Sequence, residues 1–446
     1  MKLQNPRGMK DLSPEESIFR NQIINLIKQS FENYGFSPLE TPIVERFDIL
    51  SAKYAGGEEI LKETFKLKDQ GKRELGLRYD LTVPLARYVG MNPQIKLPFK
   101  RYQIGTVYRD GPIKLGRVRE FVQCDVDTIG SSSPLADAEL LILAARIFEK
   151  LKLKIEIKLN SRKILNAIME ALDIPDKDKI EFILSLDKLE KIGSKNVIDD
   201  LKKKKIKEYN EMRKLLSTVK IKEPDELKNY VRKLFEKKKK KFENTEYEKG
   251  FDDVIEILSY LKSLNIKNAE FNGTLARGLS YYTGAVFEIF LKNSEIKSSV
   301  AGGGRYDEMI GKFLEGKNYY PATGISFGIE PIMKALKVDK KEIKKTVTEI
   351  YIVPINTLKE SLDIAEKLRK EDINVDVAFD KKNIGKSLEY ADKMEIPYVL
   401  IIGEDELEKN KVKLKDMKSG KEKLLSVNDV IKKLKGDNKK AENLYG

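Results

Sequence analysis

A chain of 446 residues exceeds what one hydrophobic core ordinarily supports, so two or three domains are expected. Hydrophobic residues make up 41% and charged residues 35%, the balance of a soluble globular protein. The net charge of +14 favours a polyanionic partner, nucleic acid above all, although general lysine richness accounts for it equally well.

No apolar run nears the roughly 20 residues of a bilayer-spanning helix. The opening MKLQNPRGMKDLSPEES lacks the apolar core of a secretory signal. There is no histidine and a single cysteine, Cys124. That excludes Ser-His-Asp and Cys-His catalysis, a zinc cluster and internal disulfides, and it suits a reducing cytoplasm. A phosphate loop also fails: Gly385-Lys386-Ser387 comes nearest, but Asp380 stands where the leading glycine is required. The chemistry must run on carboxylates, Arg, Lys, Tyr, hydroxyls, bound divalent ions or the substrate itself.

In chain order, Ile18, Ile23, Ile24, Ile27 and Phe31 recur at helical spacing over 14–33, and Gly35 ends that helix. A strand carrying Pro38 and Pro42 is expected over 36–44, at an edge or an interface. Residues 74–79 read as a strand, and Thr82 opens a helix. Two strands, roughly 100–110 and 117–129, enclose a loop and pair antiparallel. A helix over 134–153 runs into a strand at 155–159. Residues 162–262 read as nearly all helix, with lysine runs at 202–205 and 237–241 that suit a solvated face or, alternatively, phosphate contacts.

Strands resume at 268–272, 282–291 and 298–301. AGGGRY (301–306) follows, and TGISFGIEPIM (323–333) is a strand entering a helix. Residues 334–345 read as a linker. Strands at 349–354, 375–379 and 398–402 then alternate with helices at 358–370, 385–394 and 427–434, a small α/β domain with a largely parallel sheet. The front of the chain is α+β and antiparallel.

The stretch YRDGPIKLGRVREF (108–121) gathers Arg109, Arg117 and Arg119 around a loop containing Gly111, Pro112 and Gly116. Guanidiniums on facing strands can converge on one anion, and Phe121 offers a flat surface for a base. In the strand that follows, Gln123, Asp125 and Asp127 share one face, while Val122, Cys124 and Val126 share the other. A polar floor beside a cationic hairpin suits a polyphosphate held over a small polar substrate. An exposed face with surface charges explains Arg119 or Asp125 singly, and the arrangement less well. Asp80 reads equally as a helix N-cap or, with the Thr82 hydroxyl, as an acceptor for an ammonium group. In LARGLSYYTGAVFE (275–288), Arg277 precedes Tyr281 and Tyr282, though tyrosines in a strand are more often packing.

Taken with AGGGRYDEMI (301–310), these segments resemble the class II aminoacyl-tRNA synthetases and, within them, the histidyl-tRNA synthetase family. YRDGPIKLGRVREF is similar to motif 2. YGFSPLETPI (34–43) resembles motif 1, the dimer-forming element, and GISFGIE (324–330) resembles motif 3. The resemblance spans nearly the whole chain, with the lysine-rich segment matching by position more than by motif.

It implies an α+β fold, with an antiparallel-sheet catalytic domain over 1–161 and 263–335, a helical insertion over 162–262, and a linker with an α/β anticodon-binding domain over 336–446. It also implies a cytoplasmic homodimeric ligase, with no membrane association. That ligase activates L-histidine with ATP and Mg2+ and transfers it to the 3′ end of tRNA(His).

Carried onto this sequence, the family's roles put Arg109 on the α-phosphate, Arg117 on the pyrophosphate end and Phe121 under adenine. Asp80 and Thr82 hold the α-amino group, with Gln123 close to the amino acid. Asp127 and Tyr282 meet the two imidazole nitrogens, and Tyr281 and Tyr306 wall the pocket. Arg277 stabilises charge as carboxylate attacks phosphorus, and Lys114 at the hairpin tip meets tRNA. No residues are assigned to a protein-held metal. Two positions depart from the class: Gly111 stands where motif 2 carries a glutamate, and Pro331 stands where motif 3 ends in an arginine over adenine.

Two other readings compete. A catalytically inactive, synthetase-like regulatory subunit of ATP phosphoribosyltransferase predicts loss of the arginine–tyrosine segment and of the tail domain. An RNA-binding regulator using the basic insertion leaves the one-sided polar strand unexplained.

Overall fold

The alternation read in 120–129 becomes the centre of an eight-stranded sheet. The computed structural model describes residues 3–52, 61–113, 118–204, 206–277, 281–314, 319–338, 344–379 and 383–442. In chain order the strands are β1 (Ser37–Pro38), β2 (Val44–Arg46), β3 (Lys66–Lys68), β4 (Glu74–Leu77), β5 (Phe99–Tyr108), β6 (Glu120–Ile129), β7 (Ile155–Ser161), β8 (Ala269–Phe271), β9 (Ala285–Leu291), β10 (Ala301–Arg305) and β11 (Ala322–Gly328). Their main sheet has the order β1-β5-β6-β11-β10-β9-β7-β8, and β2-β4-β3 form a small second sheet. The main sheet is antiparallel within and parallel at both ends, where β1 joins β5 and β8 joins β7. The chain divides into two units, Met1–Lys10 with Ile23–Asp339, and Asp11–Gln22 with Lys340–Gly446.

One face of the main sheet is apolar and covered by helices. Val122, Cys124 and Val126 of β6, Ile325 and Phe327 of β11 and Phe287 and Ile289 of β9 are all buried. Phe327 stacks between Phe31 and Phe148, with ring centroids 5.7 and 5.9 Å away. Phe148 comes from the helix Pro134–Lys150, whose start is capped by the Ser133 hydroxyl accepting from Leu135 N–H at 3.2 Å. A second bond crosses from that helix to the sheet: buried Arg305 of β10 donates through Nε to Asp137 at 3.1 Å and through Nη1 to Ser131 O at 2.8 Å and to Asp307 at 3.2 Å.

The described residues of 162–262 are mostly helical as expected, from Arg162–Ala171 to Glu246–Ser263. The lysine runs are partly neutralised there. Lys240 bonds Glu170 at 2.7 Å and Asp173 at 2.9 Å, Lys238 also bonds Asp173, and Lys204 pairs with Glu181 and Asp200. For these lysines the solvated-face reading holds, while Lys237, Lys239 and Lys241 remain exposed.

Several boundaries are corrected. The strand expected over 36–44 is split: β1 joins the main sheet, β2 joins the small one, and the two prolines lack the N–H groups a continuous ladder needs. The strand expected at 298–301 is instead the glycine run β10, paired on both sides. The hairpin strands end at Tyr108 and restart at Glu120, because Asp110 N–H leaves the ladder and bonds Glu63 O at 2.7 Å. The segment read as a linker begins as helix, Ile329–Val338.

In the second unit, β12 (Ile350–Pro354), β13 (Val375–Val377) and β14 (Tyr398–Ile402) are parallel, but β15 (Val412–Asp416) and β16 (Glu422–Leu425) add an antiparallel edge. That sheet is mixed, in the order β13-β12-β14-β15-β16. The helices Leu358–Arg369 and Val427–Glu442 contribute Ile364, Leu368, Val430 and Leu434 to the core on one face, and Ile384–Lys393 contributes Ala391 to the other.

Candidate active site

Strand register builds the floor. On β5, Arg101, Gln103 and Gly105 stand opposite Asp127, Asp125 and Gln123 of β6. On β11, Gly324, Ser326 and Gly328 stand opposite the same three. β10 adds Gly304 and Gly302, and β9 adds Glu288 opposite Gly302. Residues directly opposite share a face. This face is therefore polar or glycine across the central strands, while the other packs against helices.

Two of those glycines leave room for side chains of the site. A Cβ at 324 would overlap Asp127 Oδ1, and one at 302 would overlap Arg277 Nη1. The glycine run that reads as a loop in sequence is thus a flattened strand over which functional side chains lie.

Asp127 is buried between two partners. Arg101 Nη2 lies 2.9 Å from its Oδ2, and the Tyr306 hydroxyl donates to its Oδ1. Tyr281 rests against Tyr282 and Tyr306, with centroids 4.7 and 6.1 Å away, so the three tyrosines form one wall. Burial pushes the Asp125 carboxyl up to about 7, with Arg101 pulling it down and Asp127 adding to the rise. Gln123 donates to Ser326 Oγ at 2.8 Å. Gln123 Oε1, Asp125 Oδ1 and Arg101 Nε and Nη1 are buried with no hydrogen-bond partner among the described residues. Buried polar atoms are normally paired, so such a cluster suits a floor completed by a ligand.

Above this floor, Asp80 Oδ1 accepts from Thr82 N–H at 3.1 Å and Val83 N–H at 2.9 Å, at the start of the helix Thr82–Met91. Asp80 is thus not the N-cap, which is Leu81, but from one residue earlier it still bonds the first turn of the helix. Burial pushes its carboxyl up, against the pull of Arg109 and Arg101 nearby. The Arg109 guanidinium lies over two rings, 4.3 Å from the Tyr79 centroid and 4.9 Å from Phe121, with Nε donating to Tyr79 O at 3.3 Å. The Phe121 face expected to carry a base therefore faces a guanidinium. Arg277 donates to Glu288 Oε1 at 2.8 Å and lies 5.7 Å from the Tyr282 ring. Burial opposes its charge, but Tyr282 and Glu288 raise it above the usual arginine range.

The structure thus brings together Asp80, Thr82, Arg109, Phe121, Gln123, Asp127, Arg277, Tyr281, Tyr282 and Tyr306. Arg117 and Lys114 lie outside the described residues. Sequence reasoning missed Arg101, Glu288, Ser326 and Glu63. The signals were a polar i, i+2 pattern in Arg101-Tyr102-Gln103 and a lone acid in the apolar strand AVFEIFL. Glu63 bears on the departure at Gly111: its carboxylate lies within 2.8 Å of where a Cβ at 111 would stand, and the Tyr79 hydroxyl donates to it at 3.3 Å.

A family model described as histidyl-tRNA synthetase matches residues 8–332, and one described as an anticodon binding domain matches residues 349–437. The chain belongs to the histidyl-tRNA synthetase family. It is a class II aminoacyl-tRNA synthetase, a ligase that takes ATP as a substrate. A Bacillus cereus protein named Histidine–tRNA ligase 1 is 46% identical over 429 residues, covering 95% of this chain and 97% of that one. The Clostridium tetani histidine–tRNA ligase is 36% identical over 96% of this chain and 97% of its own. The crystal structure of histidyl-tRNA synthetase from Nostoc sp. aligns with a TM-score of 0.83 at 29% identity, covering 98% of this chain and 100% of that chain. No described helix is long and apolar enough to cross a membrane.

Proposed function

We propose that this chain activates L-histidine with ATP and transfers it to tRNA(His), as a cytoplasmic homodimer, with the residues above in the roles their places suit. The observation that carries the reading is the floor of Asp127, Asp125 and Gln123, flanked by glycines that seat Asp127 and Arg277. A histidine carboxylate oxygen attacks the α-phosphorus of ATP, the bond to pyrophosphate breaks, and histidyl-adenylate forms. The 3′-terminal ribose hydroxyl of tRNA then displaces AMP.

The first step needs placement and charge, and no general base. Arg109, held over the rings of Tyr79 and Phe121, grips the α-phosphate, and Arg117 grips the pyrophosphate end. Phe121 underlies adenine on the ring face away from Arg109. Arg277, held by Glu288, meets the charge that builds as carboxylate approaches phosphorus. Asp80 and Thr82 take the α-ammonium group, with Gln123 beside it. Asp127 and Tyr282 meet the ring nitrogens.

Mg2+ would arrive with ATP and neutralise phosphate charge. Residues 1–161 with 263–335 serve as the catalytic domain, 162–262 as the insertion, and 336–446 as the linker and anticodon reader. Lys114 reaches for the acceptor end.

The regulatory-subunit reading is disfavoured by the retained Arg277, Tyr281 and Tyr282 and by the tail that matches an anticodon-binding model. Histidine-dependent ATP–pyrophosphate exchange tests the proposal. Exchange with histidine alone among the amino acids supports it, while tRNA binding without exchange would favour the RNA-binding regulator.

A further inference from the structure

Arg101 belongs to none of the motif segments, yet it is the largest fully buried side chain described, with no exposed surface. It stands directly opposite Asp127 across the β5–β6 ladder. Its Nη2 lies 2.9 Å from Asp127 Oδ2 and donates to Leu81 O at 3.3 Å. The second Asp127 oxygen accepts from Tyr306. The close cation and the tyrosine donor both favour the ionised carboxylate, though Asp127 Oδ2 pairs with Arg101 by charge and proximity and makes no hydrogen bond; burying a guanidinium is costly unless something nearby uses its charge.

We propose that Arg101 is a positioning and specificity-determining residue that holds Asp127 as an ionised acceptor, so that the pocket selects a ring presenting an N–H at that point. The inference rests on the reading of Asp127 as the partner of a ring nitrogen. An ionised carboxylate can only accept, so a ring with a lone pair or a carbon there leaves a buried acceptor position unpaired. Burial already pushes the Asp127 carboxyl up against the pull of Arg101 and Tyr306, and without Arg101 it would move further toward its neutral form. It would then offer an O–H where the ring offers an N–H. The charged and titratable groups near Asp127 are Arg101 on β5, Asp125 on its own strand, Tyr306 beyond β10 and Asp80 before the helix Thr82–Met91, with Tyr281 and Tyr282 in the adjoining wall. Among them Arg101 is the cation on the floor itself.

The test is steady-state pyrophosphate exchange by Arg101→Leu, Arg101→Gln and Arg101→Lys between pH 6.5 and 9, with folding followed by thermal melts. For the neutral variants the histidine KM should rise about 10- to 100-fold at neutral pH, the range for a lost charged hydrogen bond, with the ATP KM nearly unchanged. The ratio of variant to wild-type KM should shrink as pH rises and the unassisted Asp127 ionises. Arg101→Lys keeps the charge, so its ratio should stay smaller and flat with pH. Should Arg101→Leu fail to fold, Arg101→Gln carries the comparison. An unchanged histidine KM, a pH-independent ratio in the neutral variants, or an equal rise in both KM values would overturn the proposal. If the wild-type chain shows no histidine-dependent exchange, it is the functional reading that fails.

Discussion

Arg277 lies directly above Gly302, so close that a single added methyl group there would collide with its guanidinium. Glu288, opposite Gly302 on β9, binds the same guanidinium at 2.8 Å. A strand lacking side chains and an acid on its neighbour together fix where the cation sits.

Two alanine substitutions should separate two functions of this floor. Gly302→Ala displaces Arg277 and should lower kcat by about 10-fold or more with a small change in the histidine KM. Gly324→Ala presses on Asp127 and should raise the histidine KM by a similar factor. Exchange kinetics on both variants check this, and identical profiles would contradict the assigned division.

Removing the cation outright should cost more. Arg277→Ala is expected to lower kcat by about 10²–10³-fold with little change in the ATP KM, the range for a lost donor that acts on transition-state charge. Glu288→Gln, which loosens but does not remove Arg277, should fall between that variant and wild type. An Arg277→Ala enzyme within a few-fold of wild type would rule out the role.

Asp125 gives a pH signature. Its folded carboxyl titrates at about 7, raised by burial from an ordinary value near 4. The folded state therefore holds a proton the unfolded state has released, and stability falls as pH rises from about 4 to 7. Asp125→Asn removes that slope. Its thermal stability relative to wild type should improve steadily across this window and level off above pH 7, as melts across a buffer series would record. A constant offset at all pH values would show that Asp125 is not titrating there.

Arg305 binds Asp137, Asp307 and two backbone carbonyls in a buried site. Arg305→Ala would strip buried Asp137 of its guanidinium, leaving a carboxyl that burial already pushes up, at a cost of about 3–5 kcal/mol. Urea denaturation should show a lower midpoint with little change in slope. A loss under about 1 kcal/mol would mean the network relaxes or takes up water.

Transfer to tRNA should separate from activation in salt. Phosphate contacts dominate nucleic-acid binding, so aminoacylation should weaken steeply with ionic strength while histidine-dependent exchange changes much less. Parallel assays over a salt series measure this, and equal sensitivity would locate the effect in the active site.

Much of this was legible in the residues. The one-sided polarity of Gln123, Asp125 and Asp127 follows from the two-residue period of a strand, so the floor and its apolar back could be read from β6 alone. The absence of histidine and the near absence of cysteine excluded whole classes of chemistry before any fold was considered. The helical character of 162–262 and the α/β tail were periodic and long enough to declare themselves. Other features had no local signal. AGGGR has a loop's composition and becomes a central strand, because its neighbours on both sides need the room. β15 and β16 are short, charged strands, β16 at the edge, and their pairing supplies what their sequence does not. Arg101 and Asp127 stand 26 positions apart in the chain, and only the register of the β5–β6 ladder puts them face to face. Local pattern determined which side of each strand is wet; strand pairing decided which wet residues meet, because register is set by the whole sheet and its covering helices.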